Sequence, residues 1–312
     1  MVNPRQIGPK RTITPTSAAE RRFDGRAVVP GQEEIRRMEM FDATPSVNSR
    51  QEVITGNNST FAFLRLARIL LDRSEDGYAP VQVSLADEEA LFYVNRGAAR
   101  VTAGGQTHEL GWGDVIYVGI EQDVRIEADE HADVSEFRAV KCSTSHPVQL
   151  VRHAEIEGSA LAASLGSKRP MTQRTVFKLV DGSNIQACRL LFGDTYMSGP
   201  GAVGSYPPHF HGPDGPFGLG DNAKEEIYHF RVASDIPGDT GFVMQNCGRP
   251  GEDVGSYVHI FDEQAINVTP GFHDTMAPPS MEFMFTWCLA SFTEGVRDWS
   301  VVMNKPGYDD EW

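Results

Sequence analysis

Ala90-Leu-Phe-Tyr-Val-Asn-Arg-Gly97, then Ala99-Arg-Val-Thr-Ala103, the pair Gly104-Gly105, and Leu110-Gly-Trp-Gly-Asp-Val-Ile-Tyr-Val118 form the stretch that decides the fold class. Short β-branched and aromatic runs, a two-glycine turn and a Gly-Asp corner before an apolar run read as a strand, a hairpin and a further strand. The same plan returns later in the chain. There Glu226-Ile-Tyr-His-Phe-Arg231 leads to a turn at Pro237-Gly238, then to Gly241-Phe-Val-Met-Gln245, Tyr257-Val-His-Ile-Phe261 and Ala265-Ile-Asn-Val-Thr-Pro-Gly-Phe-His273. From about Thr60 onward this spacing is that of sandwiches and small barrels, so the expectation is an all-β chain with two successive β units.

Working outward, residues from about Thr144 to Thr172 carry Ala, Ser and Gly without strong alternation, as a linker with one short helical stretch would. The expected division is an N-terminal arm over 1–48, an N-terminal β unit over 49–145, and a C-terminal β unit over 146–312. Within the arm, Gln32 to Met40 is expected to form a short helix, with Ile35, Met38 and Phe41 on its apolar side. The 43 acidic against 28 basic side chains leave a formal charge of -15, which disfavours binding to nucleic acid or an anionic membrane. Phe61 to Leu71 is too short, and too broken by Arg65 and Arg68, to span a bilayer. The first thirty residues lack a signal-peptide core, which places the chain in the cytoplasm. Cys142, Cys188, Cys247 and Cys288 are far apart and are expected to be buried free thiols.

Chemistry concentrates in the C-terminal unit. His209 and His211 follow Tyr206-Pro-Pro208, and residues two apart on a strand point to the same face. Glu226 opens the next β run, with Glu225 facing the opposite side, and His273 lies three residues after Pro270. A lone strand histidine is ordinarily a packed or surface residue, but this ordered set can converge on one ion. Three nitrogens and a carboxylate suit one divalent metal per chain, Zn2+ or Mn2+ in the first place, with Fe2+ or Ni2+ as alternatives. His108, His131, His146 and His153 have no partner at ligand spacing, and His229 and His259 merely alternate with apolar neighbours. The N-terminal unit lacks His-x-His; its Glu88-Glu89 has no histidines around it, so it reads as metal-free with a structural and interface role.

At these residues the sequence resembles the KduI/IolB superfamily of sugar-acid isomerases, which are bicupins. Gly204-Ser-Tyr-Pro-Pro-His-Phe-His211, Glu225-Glu-Ile-Tyr-His-Phe-Arg231 and the long insertion between them look like the 5-deoxy-glucuronate isomerase branch. Leu110 to Gly119, Gln173-Arg-Thr-Val-Phe177, Glu263 to His273 and Phe285-Thr-Trp287 look like the 5-dehydro-4-deoxy-glucuronate isomerase branch. The resemblance covers most of the chain after residue 30. It implies two cupin (jelly-roll) barrels, with His209, His211, Glu226 and His273 as metal ligands. The implied activity is aldose–ketose interconversion of an anionic sugar.

Ketol isomerisation needs an electrophile for the oxygens and an acid–base group. Glu282 and Tyr206 are the side-chain candidates for the proton shuttle. For the anionic group of the substrate, Arg231 is the first choice, beside Arg174 and Arg249, and Gln245 could bond sugar hydroxyls. Arg231 lies at odd spacing from Glu226, so in a regular strand it faces the other way and needs a bulge or rim position. The competing functions are isomerisation of a sulfonated sugar, an iron-dependent cupin dioxygenase and a non-catalytic sugar-binding cupin. A homo-oligomer, dimer or hexamer, is expected from arm exchange and the covering of sheet edges.

Overall fold

The computed structural model describes residues 38–213, 218–248, 256–269 and 271–308. Almost every regular element is a strand, as the spacing predicts. The expected helix over 32–40 lies outside the described residues up to residue 37, and Met40 begins a strand, β1 (Met40–Asp42).

Among the described residues the N-terminal lobe is an eight-stranded antiparallel sheet. It comprises β2 (Ser49–Ile54), β3 (Leu64–Asp72), β4 (Val81–Leu85), β5 (Glu89–Ala103), β6 (Gln106–Leu110), β7 (Val115–Val118), β8 (Gln122–Ala139) and β9 (Gln149–Val151). The runs Ala90–Gly97 and Ala99–Ala103, read as two strands, are one long strand with register shifts at Val94/Arg96 and Gly97/Ala99. Gly97 takes a φ of 74°, and a Cβ there would stand 2.1 Å from the carbonyl oxygen of His131, so only glycine lets β5 bend against β8. The bend gives β5 two sets of neighbours, β7 on its first half and β6 on its second. Folded over in this way, the sheet encloses Ile69, Phe92, Val101, Ile116, Val124 and Ile126 in a core of its own. Each such side chain contributes about 1.5–3 kcal/mol by leaving water.

A four-residue helix, α1 (His153–Ile156), sits in the connecting segment. The C-terminal lobe follows as β10 (Ala162–Leu165), β11 (Arg174–Val180), β12 (Leu190–Met197), β13 (Val203–Phe210), β14 (Lys224–Ser234), β15 (Phe242–Gly248), β16 (Ser256–Phe261), β17 (Gln264–Asn267), β18 (Phe272–Met276), β19 (Met281–Ser291) and β20 (Met303–Asn304). One sheet runs β1-β17-β14-β19-β12-β11-β10 and the other β16-β15-β18-β13-β20. Two strands are exchanged between the halves: β9 completes the N-terminal sheet beside β7, and β1 completes the C-terminal one beside β17.

The β12–β19–β14 centre of the larger sheet is buried on both faces. Leu191, Tyr228, Phe230, Phe285 and Trp287 point inward to the second sheet. Leu190, Phe192, Ile227 and Cys288 point outward onto Leu66, Leu91, Tyr93 and Phe137 of the N-terminal lobe. This explains why β19 reads as a near-continuous apolar run instead of a clean alternation, and why even the polar Glu225, Glu226 and His229 of β14 are buried. All four cysteines are buried and none is in a disulfide. No helix among the described residues is long and apolar enough to cross a membrane.

Candidate metal centre

His209 on β13 stands directly opposite His273 on β18, their ring centroids 4.6 Å apart. His211, two residues on, keeps the face of His209, as strand alternation requires. One ring nitrogen from each of His209, His211 and His273 lies within 4.8 Å of the others. Glu226 comes from β14 in the facing sheet, and its Oε2 is 3.5 Å from His211 Nε2 and 3.4 Å from His273 Nε2. The four residues singled out in the sequence therefore meet at one point.

The surroundings orient the rings. The backbone carbonyl of Pro207 lies 2.8 Å from His209 Nδ1 and that of Gly271 lies 3.2 Å from His273 Nδ1, which leaves each Nε2 for the centre. Burial holds the His209 imidazolium down at about 4 and pushes those of His211 and His273 well down too, so all three rings are neutral at neutral pH. Burial pushes the Glu226 carboxyl well up, and its Oε2 has no hydrogen-bond partner. Three neutral imidazoles around a buried carboxyl with an unfilled acceptor form a donor set that fits a divalent cation.

A cavity of about 300 Å³ opens on this cluster, walled by Val176, Phe285, Trp287 and Trp299 and reached by Arg174, Ser205 and Tyr228. Gly193 makes room for one wall: a Cβ there would stand 2.3 Å from the Trp287 ring. The register of β13 against β18 breaks between Gly204 and His209, and inside that break Ser205 takes a φ of 53°. Such a bulge re-aims side chains, and here the Ser205 hydroxyl meets Tyr228 Oη at 3.0 Å. Tyr228 Oη in turn lies 2.9 Å from His273 Nε2. Neither Ser205 nor Tyr228 is singled out by the sequence reading. The available signal is alternation, since Tyr228 is two residues from Glu226 on the same strand.

The other site candidates fall in different places. Arg174 lines the cavity and is the one arginine or lysine among its described lining residues. Burial lowers it to about 10, so it remains charged, and it donates to the carbonyls of Thr172 at 3.0 Å and Tyr206 at 2.6 Å. The Tyr206 side chain is half-buried and meets the Tyr308 ring with centroids 5.9 Å apart, away from the cavity lining. Gln245 is buried at the β15–β18 pairing, where its Oε1 accepts from Thr275 at 2.6 Å. Arg231 lies on the outer face of β14, because the pairing with β19 runs without a bulge, and it is held by Asp262 at 3.1 Å and Glu263 at 2.8 Å. Glu282 is exposed on the same outer side, and Arg249 lies outside the described residues.

Fold and donor set together define a cupin-type protein with a His-rich centre in its C-terminal lobe. The likeness to solved structures agrees: an IolB-like protein from Salmonella typhimurium LT2 superposes with a TM-score of 0.72 at 17% identity, covering 86% of this chain and 97% of that one. A point mutant of the oxalate decarboxylase OxdC of Bacillus subtilis gives a TM-score of 0.56 at 11% identity over 85% and 78%. The KduI/IolB family model matches residues 40–308, and the chain belongs to that family. Curated relatives include a 4-deoxy-L-threo-5-hexosulose-uronate ketol-isomerase from Cereibacter sphaeroides, 26% identical over 70% of this chain and 72% of that protein. A protein of the same name from Oceanobacillus iheyensis is 24% identical over 65% and 67%.

Proposed function

We propose that the chain is a metal-dependent ketol-isomerase of an anionic sugar, acting on a uronate such as 5-dehydro-4-deoxy-glucuronate or 5-deoxy-glucuronate. The observation that carries this reading is the convergence of His209, His211, His273 and Glu226 on a chamber that also holds a buried, charged Arg174. The names of the curated relatives point the same way. A divalent ion held by those four residues, zinc or manganese by donor type, would supply a Lewis acid for the carbonyl and the adjacent hydroxyl of the sugar.

The remaining work belongs to the chain's own side chains. Arg174 binds the substrate carboxylate with the N–H groups not committed to Thr172 and Tyr206. Tyr228 keeps its proton, because burial pushes the phenol well up, and it serves as a donor to the substrate oxygens with Ser205 as relay. Phe285, Trp287 and Trp299 exclude water and pack the C–H face of the sugar. The C-terminal half, from about residue 146, carries this chemistry and the N-terminal half is metal-free. We place the protein in the cytoplasm as a homo-oligomer. Exposed Tyr257 and Phe261 on the edge strand β16 support the assembly.

The test is metal analysis of the purified protein coupled to proton NMR in deuterated buffer with a panel of aldoses, uronates, deoxy-uronates and sulfonated hexoses. One metal per chain and conversion of a uronate, both abolished by His209→Ala, are the expected results. Deuterium incorporation marks an enediolate, and its absence a hydride shift. Bound metal with no turnover of any sugar would overturn the isomerase, and absence of metal would overturn the centre.

A further inference from the structure

The strands that form the metal chamber have a second face, and it too borders a cavity. Across β12, β19 and β14 the residues Asp194, Thr286 and His229 stand opposite one another in register. Two residues along, Tyr196, Met284 and Arg231 form the next row on that face. The intervening row, Thr195, Phe285 and Phe230, points the other way, and Thr195 and Phe285 line the chamber. Over the outer rows lie Tyr93, Asn95 and Arg96 of β5 and Trp112 from the corner before β7, enclosing a cavity of about 290 Å³.

The polar atoms of this floor are incompletely satisfied. Thr286 and His229 line the cavity and are almost fully buried, yet Thr286 Oγ1 and His229 Nδ1 have no hydrogen-bond partner. Beside them Asp194, fully buried, accepts from Tyr93 Oη at 3.0 Å on one oxygen while its other oxygen has no partner. Buried polar atoms without partners cost about 1–3 kcal/mol each, and an occupant that bonds to them recovers this. At the rim, Arg96 makes no ion pair within 4.0 Å among the described residues, although the Asp262 carboxylate interacts with it at longer range, whereas Arg231 is paired directly with Asp262 and Glu263. Trp112 is 55% exposed there, with its ring 5.0 Å from that of His153.

We propose that this cavity between the lobes is a second ligand site, separate from the metal chamber, for a small hydroxylated carboxylate. Its carboxylate pairs with Arg96, its hydroxyls bond Thr286 and His229, and its C–H face lies on Trp112. No bond is made or broken there.

D-gluconate is a suitable probe, because it is a hydroxy acid without a carbonyl group to isomerise. Calorimetric titration of the full-length, metal-loaded protein is expected to show gluconate binding that Arg96→Gln and Trp112→Ala each weaken about tenfold or more. D-glucitol, the neutral counterpart, is expected to bind about tenfold more weakly than gluconate. Both substituted side chains are exposed, so the variants fold, and Thr286→Val tests the floor. Binding should persist in His211→Ala, which disables only the chamber. Loss of gluconate binding in His211→Ala, indifference to Arg96→Gln and Trp112→Ala, equal affinity for D-glucitol, or no binding at all would each overturn the proposal. None of these outcomes touches the isomerase reading, which turnover tests separately.

Discussion

Glu89 and Glu225 perform the same task in opposite directions. Glu89, at the start of β5, reaches into the C-terminal lobe and accepts the backbone N–H groups of Cys188, Arg189 and Leu190 at 2.7, 2.6 and 2.8 Å, with Tyr117 Oη at 2.7 Å. Glu225, at the start of β14, reaches into the N-terminal lobe and accepts those of Ala62, Phe63 and Leu64 at 2.5, 2.9 and 3.0 Å. Both are buried. Glu89→Ala leaves these donors unsatisfied in the interior and is expected to destabilise the protein by about 3 kcal/mol. Denaturant unfolding followed by fluorescence and circular dichroism checks this. A loss below about 1 kcal/mol would show that the cap is dispensable.

Tyr228→Phe removes one oxygen from the chamber and keeps the aromatic packing, including the stack on Phe285 with centroids 4.4 Å apart. The expected result is a kcat lower by about 10²-fold with KM little changed, since the hydroxyl acts on the proton and not on binding. Steady-state kinetics with the turned-over uronate decides it, and an unchanged kcat would remove Tyr228 from the proton path.

Arg174→Gln takes away the charge that, in the proposed reaction, answers the substrate carboxylate. KM is expected to rise by about 10²-fold, with a smaller effect on kcat, because the anionic group lies away from the reacting carbons. A neutral analogue of the substrate should discriminate far less between variant and parent. Equal losses for the charged and neutral substrates would assign Arg174 a structural role through its bonds to Thr172 and Tyr206.

Glu263 ties the lobes electrostatically, bonding Arg68 of β3 and standing 3.2 Å from His229 Nε2. Burial by itself raises this carboxyl, but the His229 bond and the Arg68 charge outweigh it and hold it at about 2. Its folded value lies below the unfolded one of 4.5, so the stabilisation is complete above pH 4.5 and disappears as pH falls from there toward 2. The stability curve of the parent should therefore fall by up to about 3 kcal/mol more than that of Glu263→Gln across this window. Urea unfolding at stepped pH measures the difference, and parallel curves would contradict it.

The sequence made the convergence of three histidines and Glu226 legible because its signals are local. His-x-His fixes two side chains on one face, and Glu226 and His273 each open a strand reached after a turn. Tyr228 and Ser205 were less visible, since one depends on which sheet face is inner and the other on a bulge with a left-handed residue. Arg231 shows the limit in the other direction: its spacing from Glu226 already argued for the outer face, and the bulge-free pairing with β19 keeps it there. The task of Glu89 could not be read at all. A buried carboxylate that accepts from residues about a hundred positions later leaves no trace in periodicity or composition.

The exchange of β1 and β9 sets the order in which a growing polypeptide can reach its native state. As the chain leaves the ribosome, the N-terminal sheet lacks its last strand until residue 151 has emerged, and Glu89 lacks its backbone donors until residue 190 has. Strand β1, among the first described residues to emerge, waits for its partner at residues 264–266. The N-terminal sheet therefore has all its strands once residue 151 is out, whereas the C-terminal sheet stays without β1 paired until residues 264–266 have followed, so the nascent protein exposes an incomplete C-terminal sheet to chaperones in that interval.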